Sequence, residues 1–283
     1  SSSRVNLMNT QYTNGQGISK GHRELLDRLH QERQAPFTPE ELASAWNMNP
    51  VRTRRLLAHW ASRGWLSRLR RGWYVTVPLG TRHPAELSED PWIIAHRLFA
   101  PCYIGGWSAC EHWGLTEQIF RGVVVFSTRK VHDRKPTIKE TPYVIKTIPE
   151  KHLFGTTGLW RRDMKVQVST PARTIADLLD DPTVGGGMRH IAEIVGRFFT
   201  GEHRNDTGLL EAIAPLNNRT IYKRLGYLIE ALKLEAPNIL TYCQEHLSAG
   251  YSKLDPSVAV QGPLIRRWRL RLNVGIRPEE LAS

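Results

Sequence analysis

Apolar positions between residues 18 and 80 follow a helical period broken by strong punctuation. Leu25, Leu26 and Leu29 form a stripe that predicts a helix from about Ser19 to Glu32, and the Gln34-Ala35-Pro36 stretch ends it. Thr38, Pro39 and Glu41 have the order of a capping box with proline at the first helical position. A second helix is therefore expected there, burying Leu42, Ala43 and Trp46. The turn Asn47-Met48-Asn49 follows; Asn49 caps and Pro50 opens a third helix, with Val51, Leu57 and Trp60 expected to face inward. Gly64 closes it. The pattern then changes: aromatic and β-branched residues flank Arg71-Gly72, in Trp65 to Arg70 and Trp73 to Val77, which predicts a hairpin.

Further along, Asp90 and Pro91 open a helix containing Trp92, Ile93, His96 and Leu98, and Gly105-Gly106 marks a turn before a helix that starts over Ser108 to His112 and ends at Gly114. Val123 to Thr128, Tyr143 to Ile148 and Met164 to Val168 read as strands. Thr170 and Pro171 start a helix from Ala172 to Leu179, and Gly185 to Gly187 is expected to be a flexible joint before a helix from Met188 to Phe199. Three amphipathic helices follow, beginning at Asp206, Arg219 and Pro237. In the last apolar stretch Arg267, Arg269 and Arg271 alternate with Trp268, Leu270 and Leu272, which predicts a strand with a basic face. The expected architecture is α+β. A flexible arm at 1–17 precedes a helical and hairpin domain at 18–80, a linker at 81–89 and a mixed α/β domain with a helical C-terminal part at 90–283.

Charge changes the picture. The 283 residues carry a formal net charge of +12, and between Leu42 and Ala85 there are eight arginines and no acid. A local excess of this kind suits a surface facing phosphate. Two helices joined by a turn of about three residues, the second rich in arginine, form a helix-turn-helix pattern. Arg52, Thr53, Arg54 and Arg55 occupy its first turn and a half, where a recognition helix meets base edges and phosphates. Arg68, Arg70 and Arg71 lie at the hairpin tip, placed to act as a wing on the backbone or minor groove. The run NPVRTRRLLAHWASRGWLSRLRRGWYV resembles winged-helix transcription factors. Arg267, Arg269 and Arg271 offer a second surface for nucleic acid or for an acidic partner; the alternative is a charged edge strand protected against aggregation.

Catalytic chemistry finds little support. The three cysteines, Cys102, Cys110 and Cys243, have no C-x-x-C spacing, which argues against a zinc ribbon or disulfide framework and fits a reducing cytoplasm. No apolar run reaches membrane-spanning length, and residues 1–17 lack a signal peptide's apolar centre. There is no P-loop, and Gly106-Trp107-Ser108 is followed by Glu111 and Glu117 without paired metal-binding carboxylates. His96 and His112 lack a second ligand at metal spacing. Asp163, Asp177, Asp180, Asp181 and Glu193 leave open a nucleic-acid-modifying, nuclease-like enzyme that uses the basic domain for docking. A scaffold binding RNA or membrane by charge is a third reading.

Three segments carry a family resemblance: YIGGWSACEHWGLTEQ (Tyr103 to Gln118), KVQVSTPARTIADLLDDPTVGGG (Lys165 to Gly187) and GYSKLDPSVAVQGPLIRRWRLRLN (Gly250 to Asn273). Together with the basic domain before them they resemble the AbiEi family, over about residues 20–273. The resemblance implies an antitoxin and transcriptional regulator of a type IV toxin–antitoxin system, linked to abortive phage infection. It further implies repression of its own operon and neutralisation of a toxin resembling a nucleotidyltransferase. Because one winged helix reads only a short site, an operator with repeated half-sites is expected, or a second positive surface touching the same DNA. No cofactor or metal is implied.

Overall fold

The computed structural model describes residues 19–33, 35–78 and 89–276. The arm expected at 1–17 and nearly all of the linker expected at 81–89 lie outside them. The chain divides into two compact units, Ser1–Arg97 and Leu98–Ser283. The division falls inside a helix, α4 (Pro91–Phe99), whereas the sequence suggests a break before residue 90.

In the first unit, α1 (Lys20–Glu32) begins at Ser19, whose hydroxyl accepts from the His22 amide. α2 (Pro39–Ala45) starts with a complete capping box: Thr38 Oγ1 accepts from the Glu41 amide, and the Glu41 carboxylate accepts from the Thr38 amide. Asn47, at φ 51°, turns the chain in the left-handed conformation that asparagine tolerates. Asn49 Oδ1 then accepts from the amides of Val51 and Arg52, so α3 (Pro50–Ser62) opens with two of its orphan donors satisfied. Gly64 at φ 75° ends α3, with Gly64 N bonded to Ala61 O and Trp65 N to Trp60 O, the paired bonds of a Schellman turn. The chain emerges into β1 (Leu66–Arg70), which pairs antiparallel with β2 (Trp73–Thr76).

One core holds these pieces together: Leu26, Leu29, Phe37, Leu42, Leu57, Trp60, Leu66 and Tyr74 pack as a single buried cluster. Each full burial of such a side chain is worth about 1.5–3 kcal/mol. Phe37 and Tyr74 exchange both backbone hydrogen bonds at 2.9 Å, which ties the α1–α2 connection to the hairpin. Val51, expected to face inward, is exposed. The inward stripe of α3 runs through Thr53, Leu57 and Trp60, and at 100° per residue Val51 falls on the opposite side.

The second unit is built on a six-stranded mixed sheet. Its strands in chain order are β3 (Cys102–Gly105), β4 (Val123–Ser127), β5 (Thr137–Ile138), β6 (Thr141–Thr147), β7 (Thr156–Arg161) and β8 (Met164–Ser169). Their spatial order is β5-β6-β4-β3-β8-β7, with β3–β8 and β4–β6 parallel and the remaining pairs antiparallel. After β3 comes α5 (Gly106–His112); after β8 come α6 (Pro171–Asp180), α7 (Met188–Thr200), α8 (Asp206–Ile213), α9 (Thr220–Ala231) and α10 (Pro237–Glu245). Ile175, Leu178, Ile191, Val195, Phe198, Leu225 and Leu228 are fully buried in the shared core of this unit. The whole is a mixed α+β fold, as the sequence predicts.

Two expectations change. Gly185 to Gly187 form a packed turn and not a flexible joint: a Cβ on Gly185 would collide with Leu178 and Ile191. In the same turn Gly187 N bonds to Pro182 O, and Asp255 Oδ2 accepts from Met188 N. The basic strand expected near the end is also interrupted. Short strands β9 (Ser252–Lys253), β10 (Leu264–Ile265) and β11 (Leu270–Arg271) form a small sheet, and residues 266–269 make the turn between the last two, with Arg269 at φ 50°. Among the described residues, no helix is long and apolar enough to cross a membrane.

Candidate nucleic-acid interface

α3 presents its cationic face because its apolar positions are spent inward. With Thr53, Leu57 and Trp60 buried, Arg52, Arg54 and Arg55 are exposed. Thr53, expected to contact DNA, is fully buried, and its hydroxyl donates to Asn49 O at 3.0 Å. It locks the first turn of the helix and is not available as a contact.

Arg54 is also partly committed. It forms an exposed ion pair with Glu40 of α2, with Nε and Nη2 each 2.7 Å from Glu40 Oε1. The hydrogen bond from Arg54 is the main reason that the Glu40 carboxyl titrates below its usual range. This acid lies 14 residues upstream, before the acid-free run begins, so no local spacing revealed the pair. Among the described residues, Arg52 and Arg55 make no ion pair or side-chain hydrogen bond. His59, exposed one turn beyond Arg55, extends that stripe and packs edge-on against Trp65. Helical spacing from Arg52 and Arg55 was the signal that would have found it.

In the hairpin, Leu66 and Leu69 are buried, while Arg68 and Arg70 are exposed and pair across the strands with Tyr74 and Trp73. The pairing shifts register between Arg68 and Arg70, a bulge that bends the strand just before the tip. Arg71 is exposed in the turn, beside Gly72 at φ 79°. Gly64 and the shared core pack this hairpin directly after α3, so the first unit carries two arginine groups, on α3 and on β1 with its turn.

The arginines near the C-terminus are arranged differently. Arg267 pairs with Glu230 at 2.6 Å, and Glu230 also accepts from Trp268 Nε1. Arg269 donates to Ser248 O and Arg271 to Gly262 O. Trp268 and Leu270 are buried as expected, but the three arginines form no flat stripe, because a turn separates them and each is bonded within its own unit.

Three of the five acids that left an enzyme open have structural partners. Asp177 is buried with Arg173, whose Nε lies 2.9 Å from Oδ1, while Tyr103 donates to Oδ2 at 2.9 Å. Burial pushes the Asp177 carboxyl up to about 6, against the opposing pull of Arg173. Asp181 pairs with Lys146 and accepts from Thr183, and Asp180 accepts from Asn218. Asp163 sits in the exposed β7–β8 turn, and Glu193 is half-buried on α7. Burial lowers the pKa of His96 and of His112. It also raises the Cys102 and Cys243 thiols to about 12. Among the described residues, no three His, Cys, Asp or Glu side chains gather as a metal site would require.

No family model and no curated protein matches this chain. Its fold is similar to the crystal structure of the RV2827C protein from Mycobacterium tuberculosis, with a TM-score of 0.61 over 91% of this chain and 92% of that one. The two sequences are 14% identical, so the likeness is one of fold.

Proposed function

We propose that this chain is a sequence-specific repressor that binds double-stranded DNA through an N-terminal winged helix-turn-helix. The observation that carries the reading is the pair Arg52 and Arg55: exposed, without an acidic partner among the described residues, and on the helix that follows a capped turn. α3 takes the place of the recognition helix, and the β1–β2 hairpin with Arg68, Arg70 and Arg71 that of the wing. The Phe37–Tyr74 bridge supports this reading, since it makes the hairpin part of the same core as the helices. Arginine on α3 is suited to guanine O6 and N7, and arginine on the wing to phosphate.

The antitoxin role extends this reading and rests on the family resemblance. In that role the chain represses its own operon at repeated half-sites and counteracts a nucleotidyltransferase-like toxin. It acts by binding and not by catalysis, with no cofactor. The test is a titration of the full chain with the DNA upstream of its own reading frame, set against a shuffled duplex at the same salt. Footprinting and co-expression with the product of the neighbouring gene complete it. Equal affinity for the two duplexes would overturn the repressor reading. Undiminished toxicity on co-expression would overturn the antitoxin extension alone.

A further inference from the structure

β7 is the outer strand of the six-stranded sheet and is paired on one side only. It carries Trp160, 70% exposed. Holding so large a ring in water forgoes the favourable burial of its apolar area. Residues directly opposite on an antiparallel pair share a face. Trp160 lies opposite Lys165, and Gly158 opposite Gln167. Gly158 is the low point of this face: a Cβ there would run into Lys165 Cε, so the lysine stem lies across the glycine next in line to the tryptophan. Gln167 Oε1 accepts from Thr156 Oγ1 at 3.1 Å, which leaves its amide NH2 group as the donor. The hairpin turns at Arg162, exposed and held at φ 55°, a conformation that glycine or asparagine adopts at lower cost.

We infer that this face of the β7–β8 hairpin binds single-stranded nucleic acid, one base stacking on Trp160 with its phosphates on Lys165 and Arg162. The chemistry argues for a single strand. A flat ring in water can stack only on a base whose face is uncovered, and flanking cations hold the backbone whatever the sequence. In the hairpin Arg161, Arg162 and Lys165 stand against the single acid Asp163, which also favours an anionic occupant over an apolar protein pocket. The site is independent of α3 and of the duplex reading proposed above.

The probes are fluorescein-labelled oligouridine and oligothymidine of roughly a dozen nucleotides, within the range that single-strand sites span. They are titrated against the full chain by anisotropy, with the upstream duplex in parallel. Trp160→Ala is expected to weaken both single strands about tenfold and leave duplex binding unchanged; Trp160→Phe recovers part of the loss. Gly158→Ala displaces the Lys165 stem without changing any charge and is expected to weaken them several-fold. Lys165→Gln should reduce the salt slope for single strands by about 0.7. The difference between the two oligomers assigns the natural strand to RNA or DNA. Wild type that binds neither oligomer, or binds them no better than Trp160→Ala, overturns the inference. So does an equal loss on the duplex, which would place Trp160 in the duplex site. A protein partner lost on Trp160→Ala, with no oligomer bound by wild type, would also overturn it. Failure on the duplex alone falls on the repressor reading and leaves this one standing.

Discussion

The outer arginines of α3 and the hairpin, in the first unit, and the arginines inside the second unit are used in opposite ways. In the first group, Arg52, Arg55, Arg68, Arg70 and Arg71 are exposed, and their side chains make no ion pair or hydrogen bond among the described residues. In the second, Arg173 is buried against Asp177 and also holds the carbonyls of His152 and Phe154. Arg224 binds the carbonyls of Leu179, Asp180, Lys253 and Leu254, closing the end of α6 and fastening the segment before Asp255. Arg267, Arg269 and Arg271 follow the same habit. A guanidinium with five donors can satisfy several carbonyls at once, so it serves as an internal staple as readily as a phosphate ligand. Net charge does not separate the two uses; the availability of carbonyls and acids around each arginine does.

The comparison breaks most visibly in stability. Arg173→Ala leaves a buried carboxylate without its cation and is expected to cost about 3–5 kcal/mol. Arg224→Ala strands several carbonyls and is expected to cost about 3 kcal/mol. Alanine at Arg52, Arg55, Arg68, Arg70 or Arg71 is expected to stay within about 0.5 kcal/mol of wild type. Urea unfolding of the full chain checks both halves. Comparable losses in the two sets would erase the distinction.

A pH series sharpens the same contrast at Asp177. Its folded-state pKa is raised to about 6 by burial, above the unfolded value near ~3.9. A raised folded pKa stabilises the native state fully below the unfolded value, and that contribution is lost as pH rises through about 6. The stability advantage of wild type over Asp177→Asn should therefore be larger at pH 5 than at pH 7.5, measured by thermal unfolding. A gap that widens toward pH 7.5 would mean that the ion pair with Arg173 outweighs burial.

On DNA the order reverses. Arg52→Ala and Arg55→Ala are each expected to weaken operator binding by ~1–3 kcal/mol if they read bases, with preference relaxed at one position. Replacing Arg68, Arg70 and Arg71 together should flatten the salt dependence by roughly two to three units. Arg267→Ser, Arg269→Ser and Arg271→Ser combined should leave that slope alone and cost about 1–3 kcal/mol of stability, through one exposed ion pair and two carbonyl contacts. A lower slope in this last variant would restore the basic surface read from the sequence.

The sequence was legible where local chemistry decides the structure. The capping box at Thr38, the Asn49 and Thr170 caps and the strands at Val123, Tyr143 and Met164 appear close to where they were read. β3 was missed because all four of its residues are buried, which removes alternation, and its last is glycine. β7 was missed because most of its residues are half-buried. The stripe at Arg267 to Arg271 has a period of two, but a turn through a residue with positive φ breaks it. Periodicity cannot report a turn made by arginine. The site was half legible for a similar reason: the arginines on α3 are plain in the sequence, whereas their neighbours depend on how α2 lies against them.

Glu40 offers the finest test of that neighbourhood. It is the acid that engages Arg54, and both side chains are more than half exposed, so the pair itself adds little to stability. Its effect on DNA binding should be larger than its effect on folding, since it puts a negative charge beside a helix proposed to approach phosphate. Glu40→Gln removes that charge and releases Arg54 while keeping the shape. Affinity for any duplex is then expected to rise two- to threefold at low salt, by the order of one exposed charge interaction, and the gain should fade as salt increases. The pattern across sequences is decisive. An equal gain on operator and shuffled duplex makes Arg54 a phosphate contact. A gain confined to the operator makes it a base reader that Glu40 holds in place or holds back. A loss of operator affinity, with shuffled DNA unchanged, means that the ion pair orients Arg54 for the groove. No change on either duplex would place Arg54 and Glu40 outside the interface, leaving Arg52 and Arg55 as the whole cationic contribution of α3.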